Sequence, residues 1–196
     1  MTPSFNGCTG ETENFSITVE PKPTVFPNPS QEWCSGENTD PILFDGNFGP
    51  AGATYNWIND NITIGLAASG SGDILSFVAQ NPTADIQTAT ITVVPTLNGC
   101  DGIPETITIV VKPIPTVDGP IPDQPLCVNS ASDEVVFTGN LPLITNYNWT
   151  NDNVAIGLPA LGTGNIPSFI AQNSGNSVIS ATITVTPELN GCIGTS

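Results

Sequence analysis

The chain has no histidine and no arginine, and Lys22 and Lys112 are its only cationic side chains against 18 acidic ones, a formal net charge of −16. Without histidine there is no ordinary Ser-His or Cys-His pair and no imidazole ligand for zinc. Without a basic face the chain has nothing to neutralise phosphate, which excludes nucleic acid and anionic membrane as natural partners. No apolar run is long enough to cross a bilayer, and no secretion signal follows Met1. Any export is therefore expected to be directed by a segment outside this one. Charged residues make up 10% of the chain, against about 25% in ordinary soluble domains.

Thr, Asn, Ser, 19 Gly and 19 Pro supply the polarity instead. That palette suits strands and turns, because Thr, Val and Ile fit a pleated surface while Asn, Gly and Pro punctuate it. Helix is hardly visible. The five cysteines show no C-x-x-C spacing, so an oxidising, extracellular compartment is a better reading than a zinc site.

The strongest signal is internal repetition at an offset of 92 residues. Tyr55-Asn56-Trp57-Ile58-Asn59-Asp60-Asn61 returns as Tyr147-Asn148-Trp149-Thr150-Asn151-Asp152-Asn153. Ser76-Phe77-Val78-Ala79-Gln80-Asn81 returns as Ser168-Phe169-Ile170-Ala171-Gln172-Asn173, and Ala89-Thr90-Ile91-Thr92-Val93 as Ala181-Thr182-Ile183-Thr184-Val185. A partial third copy opens the chain: Phe5-Asn6-Gly7-Cys8 matches Leu97-Asn98-Gly99-Cys100 and Leu189-Asn190-Gly191-Cys192, and Phe15 to Val19 matches Ile107 to Val111.

Seven short strands are expected per repeat: Thr24-Val25, Ile42 to Phe44, Thr54 to Trp57, Thr63 to Leu66, Ile74 to Ala79, Thr88 to Val94 and Thr106 to Val111. The last two alternate apolar and polar residues, the mark of a half-buried antiparallel strand, and Asn98-Gly99 between them is a hairpin turn. Seven strands with a Trp on the third describe an immunoglobulin-like β-sandwich. Glu20-Pro21-Lys22-Pro23 and Val111-Lys112-Pro113-Ile114-Pro115 are expected to be stiff linkers, because alternating prolines favour extended backbone without ladder donors. The expected division is 1–23, the last hairpin and strand of a preceding repeat; 24–115, a complete sandwich; and 116–196, a second sandwich lacking its last strand. Tandem sandwiches so joined form an all-β rod.

The pattern Y-N-W-x-N-D-N, I-G-L, G-x-G-x-I-x-S-F, A-T-I-T-V-x-P-x-x-N-G-C-x-G and P-x-P-T-V, as it stands here, resembles the polycystic-kidney-disease-like (PKD-like) repeats of giant Bacteroidota cell-surface proteins, the gliding-motility adhesins exported by type IX secretion among them. The resemblance covers nearly the whole chain. It implies a cell-surface location, a role in adhesion or gliding, and a parent with many repeats. Where typical PKD domains carry W-D-F-G-D-G, this chain has Trp57-Ile58-Asn59-Asp60-Asn61.

No constellation of catalytic residues is found, so the chain is read as a non-enzyme and as needing no cofactor. Trp57, Trp149, Phe77 and Phe169 are expected in the two cores, although an exposed Trp would stack on sugar. Trp33, with Leu126 in its place in the next copy, is expected as a loop anchor. Asp60 and Asp152 are candidate calcium ligands; since Asn and Asp are also turn formers and no D-x-D-x-D-G loop accompanies them, a turn is favoured. The function these features suggest is a stalk segment of a surface adhesin whose partners are neighbouring repeats or copies, head to tail. The alternative is a module that binds glycans or other ligands, with or without calcium.

Sandwich geometry places Cys34 and Cys100 at opposite poles of one repeat, too far apart to bridge. Cys34 with Cys192, across the junction between repeats, is the favoured pair. Cys8 with Cys34, and Cys100 with Cys127, are the alternatives. Finally, Phe15, Ile17 and Val19 belong to a strand without a sandwich of its own, whereas the second sandwich lacks that strand. The N-terminal segment of one molecule is thus expected to complete the second sandwich of another by donor-strand exchange.

Overall fold

The computed structural model describes residues 1–119, 121–141 and 145–195, and its regular structure is almost entirely strand. β1 (Ser4–Phe5) and β2 (Cys8–Thr9) form a small hairpin. The first sandwich carries β3 (Gln31–Cys34), β4 (Thr54–Asn59), β5 (Ser69–Ser71), β6 (Gln87–Leu97), β7 (Cys100–Asp101) and β8 (Glu105–Lys112), in the order β3-β8-β6-β4-β5 with β7 on β6. The second carries β9 (Asn146–Asn151), β10 (Leu161–Thr163), β11 (Ile183–Leu189) and β12 (Cys192–Ile193), in the order β10-β9-β11-β12. All pairings among these strands are antiparallel except that of β3 with β8.

The alternation read from the sequence is what fills the first core. Ala89, Ile91 and Val93 on β6 and Ile107, Ile109 and Val111 on β8 point to one face and are all buried. A thinner second layer closes over them through the bridges Asn38↔Val78 and Ile42↔Ile74, which bring in Ile42, Phe44, Ile74 and Ala79. Trp57 lies flat on Gly70, where a Cβ would stand 2.2 Å from its indole. Trp149 repeats the contact on Gly162, at 2.1 Å, so only glycine fits opposite either ring. The Asn98-Gly99 turn, with φ of 50° and 81°, joins Leu97 to Cys100 across two residues and has the positive φ pair of a type I′ hairpin.

Four of the seven expected strands are revised. Thr63 to Leu66 is not extended: Ile62–Ile64 forms a 3-10 turn closed by left-handed Gly65, and the paired strand comes later, as β5. The cause is Asn61, whose side chain accepts from Thr63 N at 3.1 Å, a local bond that competes with a sheet ladder. Thr24-Val25 forms no strand, and Ile42 to Phe44 and Ile74 to Ala79 meet only in isolated bridges. There side chains take the place of ladder partners: Phe44 N donates to Asp73 Oδ1 and Phe77 N to Thr39 Oγ1. Conversely, Gln31–Cys34, read as loop, is a strand running parallel to β8. A pairing between residues so far apart in sequence leaves no local periodicity to read.

Candidate assembly interface

Most residues singled out as possible ligand contacts serve the fold. Trp57 and Trp149 are buried core residues, as expected, while Phe77 and Phe169 are half-buried at the edges of the two clusters. Trp33 is not on a loop: it sits in β3, packs on the first core and donates through Nε1 to Gln31 Oε1 at 2.9 Å. Asp60 and Asp152 each accept a backbone N–H at 2.7 Å, from Thr90 and Thr182, fastening the turn after β4 or β9 to the neighbouring strand. Among the described residues, no three His, Cys, Asp or Glu side chains converge as a metal site would require.

The junction between the sandwiches is built from four segments. β3 runs beside β8 so that Cys34 stands opposite Lys112, the last residue of β8. Lys112 pairs with Glu32 at 2.8 Å, and the chain then passes through Pro113, Ile114 and Pro115. Pro113 and Pro115 are buried, so this linker is packed into the junction instead of standing free as a spacer. From the far side the hairpin Asn190-Gly191-Cys192 reaches back, its Asn190 carbonyl accepting from Lys112 Nζ at 3.4 Å. Cys34 and Cys192 are joined by a disulfide with a Cα–Cα distance of 5.6 Å. This is the pair favoured from sequence. Cys8, Cys100 and Cys127 carry free, exposed thiols, so neither alternative pairing forms within the molecule. The Lys112–Glu32 pair and the Lys112–Asn190 bond were not foreseen, although Lys112 falls in the expected linker and Asn190 in the expected hairpin.

The second feature is an unsatisfied sheet edge. β6 is flanked by β4 and β8, whereas β11 pairs with β9 and the short β12 and has no counterpart of β8 among the described residues. The matching apolar positions feel the difference: Ala89 and Ile91 are fully buried, but Ala181 and Ile183 are half-buried. Residues 124–127, which match β3, form no strand either. Meanwhile Phe15, Ile17 and Val19 stand 74%, 79% and 87% exposed, in a segment held by little beyond the hydrogen bonds between Met1 and Glu13.

No protein-family model matches the chain, and no curated protein matches it. The structure therefore supports an all-β protein of β-sandwiches with a disulfide. Among the described residues no helix is long and apolar enough to cross a membrane.

Proposed function

We propose that the chain is a structural repeat segment of a long extracellular stalk, with immunoglobulin-like sandwiches of the PKD-like kind strung head to tail on the surface of a cell and serving adhesion or gliding. The observation that carries this reading is the Cys34–Cys192 disulfide. It spans the junction between sandwiches, not the core of either, and so stiffens the join between units that each pack their own interior. A disulfide of this kind fits an oxidising, extracellular setting. The buried linker prolines and the Lys112–Asn190 bond act in the same sense. Small-angle scattering tests the proposal directly. The protein is expected to scatter as an elongated particle that gains flexibility on reduction; a compact particle, or one unchanged by reduction, contradicts it.

A further inference from the structure

We infer that the Cys34–Cys192 disulfide is a tension bypass. A pull along the chain crosses from the first sandwich to the second through this one bond, and the strands between the two cysteines stay folded under a load that unfolds them when the bond is absent. The inference rests on the stalk reading and adds to it the path of force through the molecule.

The bond closes a loop over a sequence separation of 158 residues. A chain of that length pulled taut spans about 550 Å, whereas the disulfide holds the two Cα atoms 5.6 Å apart. A stretched chain bears tension along its shortest covalent path, and here that path leaves out everything between Cys34 and Cys192. What it leaves out is nearly all of both interiors. The first core cluster lies inside the loop except for Val25 and Trp33, and the second lies inside it whole. A bridge within either sandwich would shield that sandwich alone; placed across the junction, it shields two.

The path runs lengthwise along one side of the first sandwich. It enters at Pro23, whose carbonyl accepts from Ile103 N at 3.4 Å beyond the hairpin of β6 and β7, and is held at Phe26, whose N–H donates to Asp45 O at 2.8 Å. It continues as β3 to Cys34 at the opposite pole. β3 is paired with β8 from Gln31↔Ile109 to Cys34↔Lys112. A pull along β3 therefore loads these four residue pairs together, in shear, instead of opening them one at a time, because the bonds of a parallel ladder are evenly spaced along the strand.

Both sulfurs are mounted on bonded backbone. Cys34 N donates to Glu37 Oε2 at 2.8 Å and Ser35 N to Lys112 O at 3.0 Å. Cys192 is fully buried and stands opposite Leu189, and Gly194 N donates to Pro187 O at 2.9 Å. Lys112 fastens the same place a second time, through Glu32 at 2.8 Å and the Asn190 carbonyl at 3.4 Å. Those contacts are noncovalent and give way before the S–S bond does. Without that bond the tension passes from Cys34 into the following chain and through β4 to β11, strand by strand.

The test is single-molecule stretching of the full chain by handles at its two ends, with Cys8→Ser, Cys100→Ser and Cys127→Ser so that only the junction bond forms. The comparison is the same chain with Cys34→Ser and Cys192→Ser in addition. The unbonded chain is expected to lengthen in steps by about 550 Å more than the bonded one; equal lengths overturn the proposal. Shielding has its own readout, taken at constant force as dithiothreitol cuts the bond and is itself oxidised to a cyclic disulfide. Sandwiches still folded at that moment unfold only after a delay, with the dwell times of the unbonded variant. A full jump at the instant of cutting shows that they had already unfolded inside the closed loop, and overturns the proposal. Small-angle scattering of the bonded chain keeps the two readings apart. An elongated particle with either failure removes the bypass and leaves the stalk; a compact particle that shows the delay removes the stalk and leaves the bypass.

Discussion

In the first sandwich, the pentapeptide Ala89-Thr90-Ile91-Thr92-Val93 lies within an eleven-residue strand between two neighbours, and its three apolar side chains are 0% exposed. In the second, the identical Ala181-Thr182-Ile183-Thr184-Val185 enters its strand only at Ile183; Val185 is 8% exposed and Ala181 and Ile183 are half-buried. The same five residues thus reach different burial and different strand length. What differs is the neighbour. β8 pairs with Gln87 to Val93 of β6 and closes its apolar face, whereas Ile183 to Val185 of β11 are paired only with β9 among the described residues. Strand extent at a sheet edge is therefore a property of the pair, not of the segment.

The comparison is most strongly sharpened by reduction. With the disulfide closed, the second sandwich is tied to the first at both Lys112 and Cys192, and a loop of that length contributes about 5 kcal/mol by restricting the unfolded chain. Reduction is expected to lower the denaturation midpoint of the second sandwich and leave the first nearly unmoved. Fluorescence of variants retaining only Trp57 or only Trp149 follows each separately, and equal losses in both would show that the two units unfold as one.

A smaller effect is expected from truncating the matched core position. Ile91→Ala opens a cavity between β6 and its neighbours and should cost about 3 kcal/mol, while Ile183→Ala, half-exposed at the open edge, should cost about 1 kcal/mol. Chemical denaturation of the oxidised monomer measures both. Equal costs would mean that the edge of β11 is covered in solution.

The smallest effect concerns the buried tyrosines. Burial holds the Tyr55 hydroxyl above its ordinary pKa, with Asp45 and Asp73 adding to the shift; burial and then Asp118 do the same for Tyr147. A raised pKa in the folded state means that the folded protein keeps a proton the unfolded chain gives up. Their contribution to stability is full below about pH 10, the ordinary tyrosine value, and is lost as pH rises through the folded-state pKa. The melting temperature should be level up to that pH and then fall. Tyr55→Phe should flatten the decline of the first sandwich and Tyr147→Phe that of the second; a decline untouched by both substitutions excludes the tyrosines as its source.

The amino-acid sequence by itself determined the all-β class, the apolar faces that fill the two cores and the Asn-Gly hairpins. Each of these rests on neighbours a few residues apart: alternation fixes a strand's face, positive φ fixes a turn, and repetition carries both across the chain. The pairing of Cys34 with Cys192 was legible too, because the poles of a sandwich follow from strand direction. Only the tertiary structure decided that Gln31–Cys34 is a strand, since its partner β8 lies more than seventy residues away. It likewise decided that Asn61 turns Thr63 into a 3-10 step, that Asp60 and Asp152 bind backbone amides, and that one copy of Ala-Thr-Ile-Thr-Val is buried while the other is left half-open. In each case the outcome depends on whether a distant segment satisfies the backbone polar groups and covers the apolar face, and that is set by the packed chain as a whole.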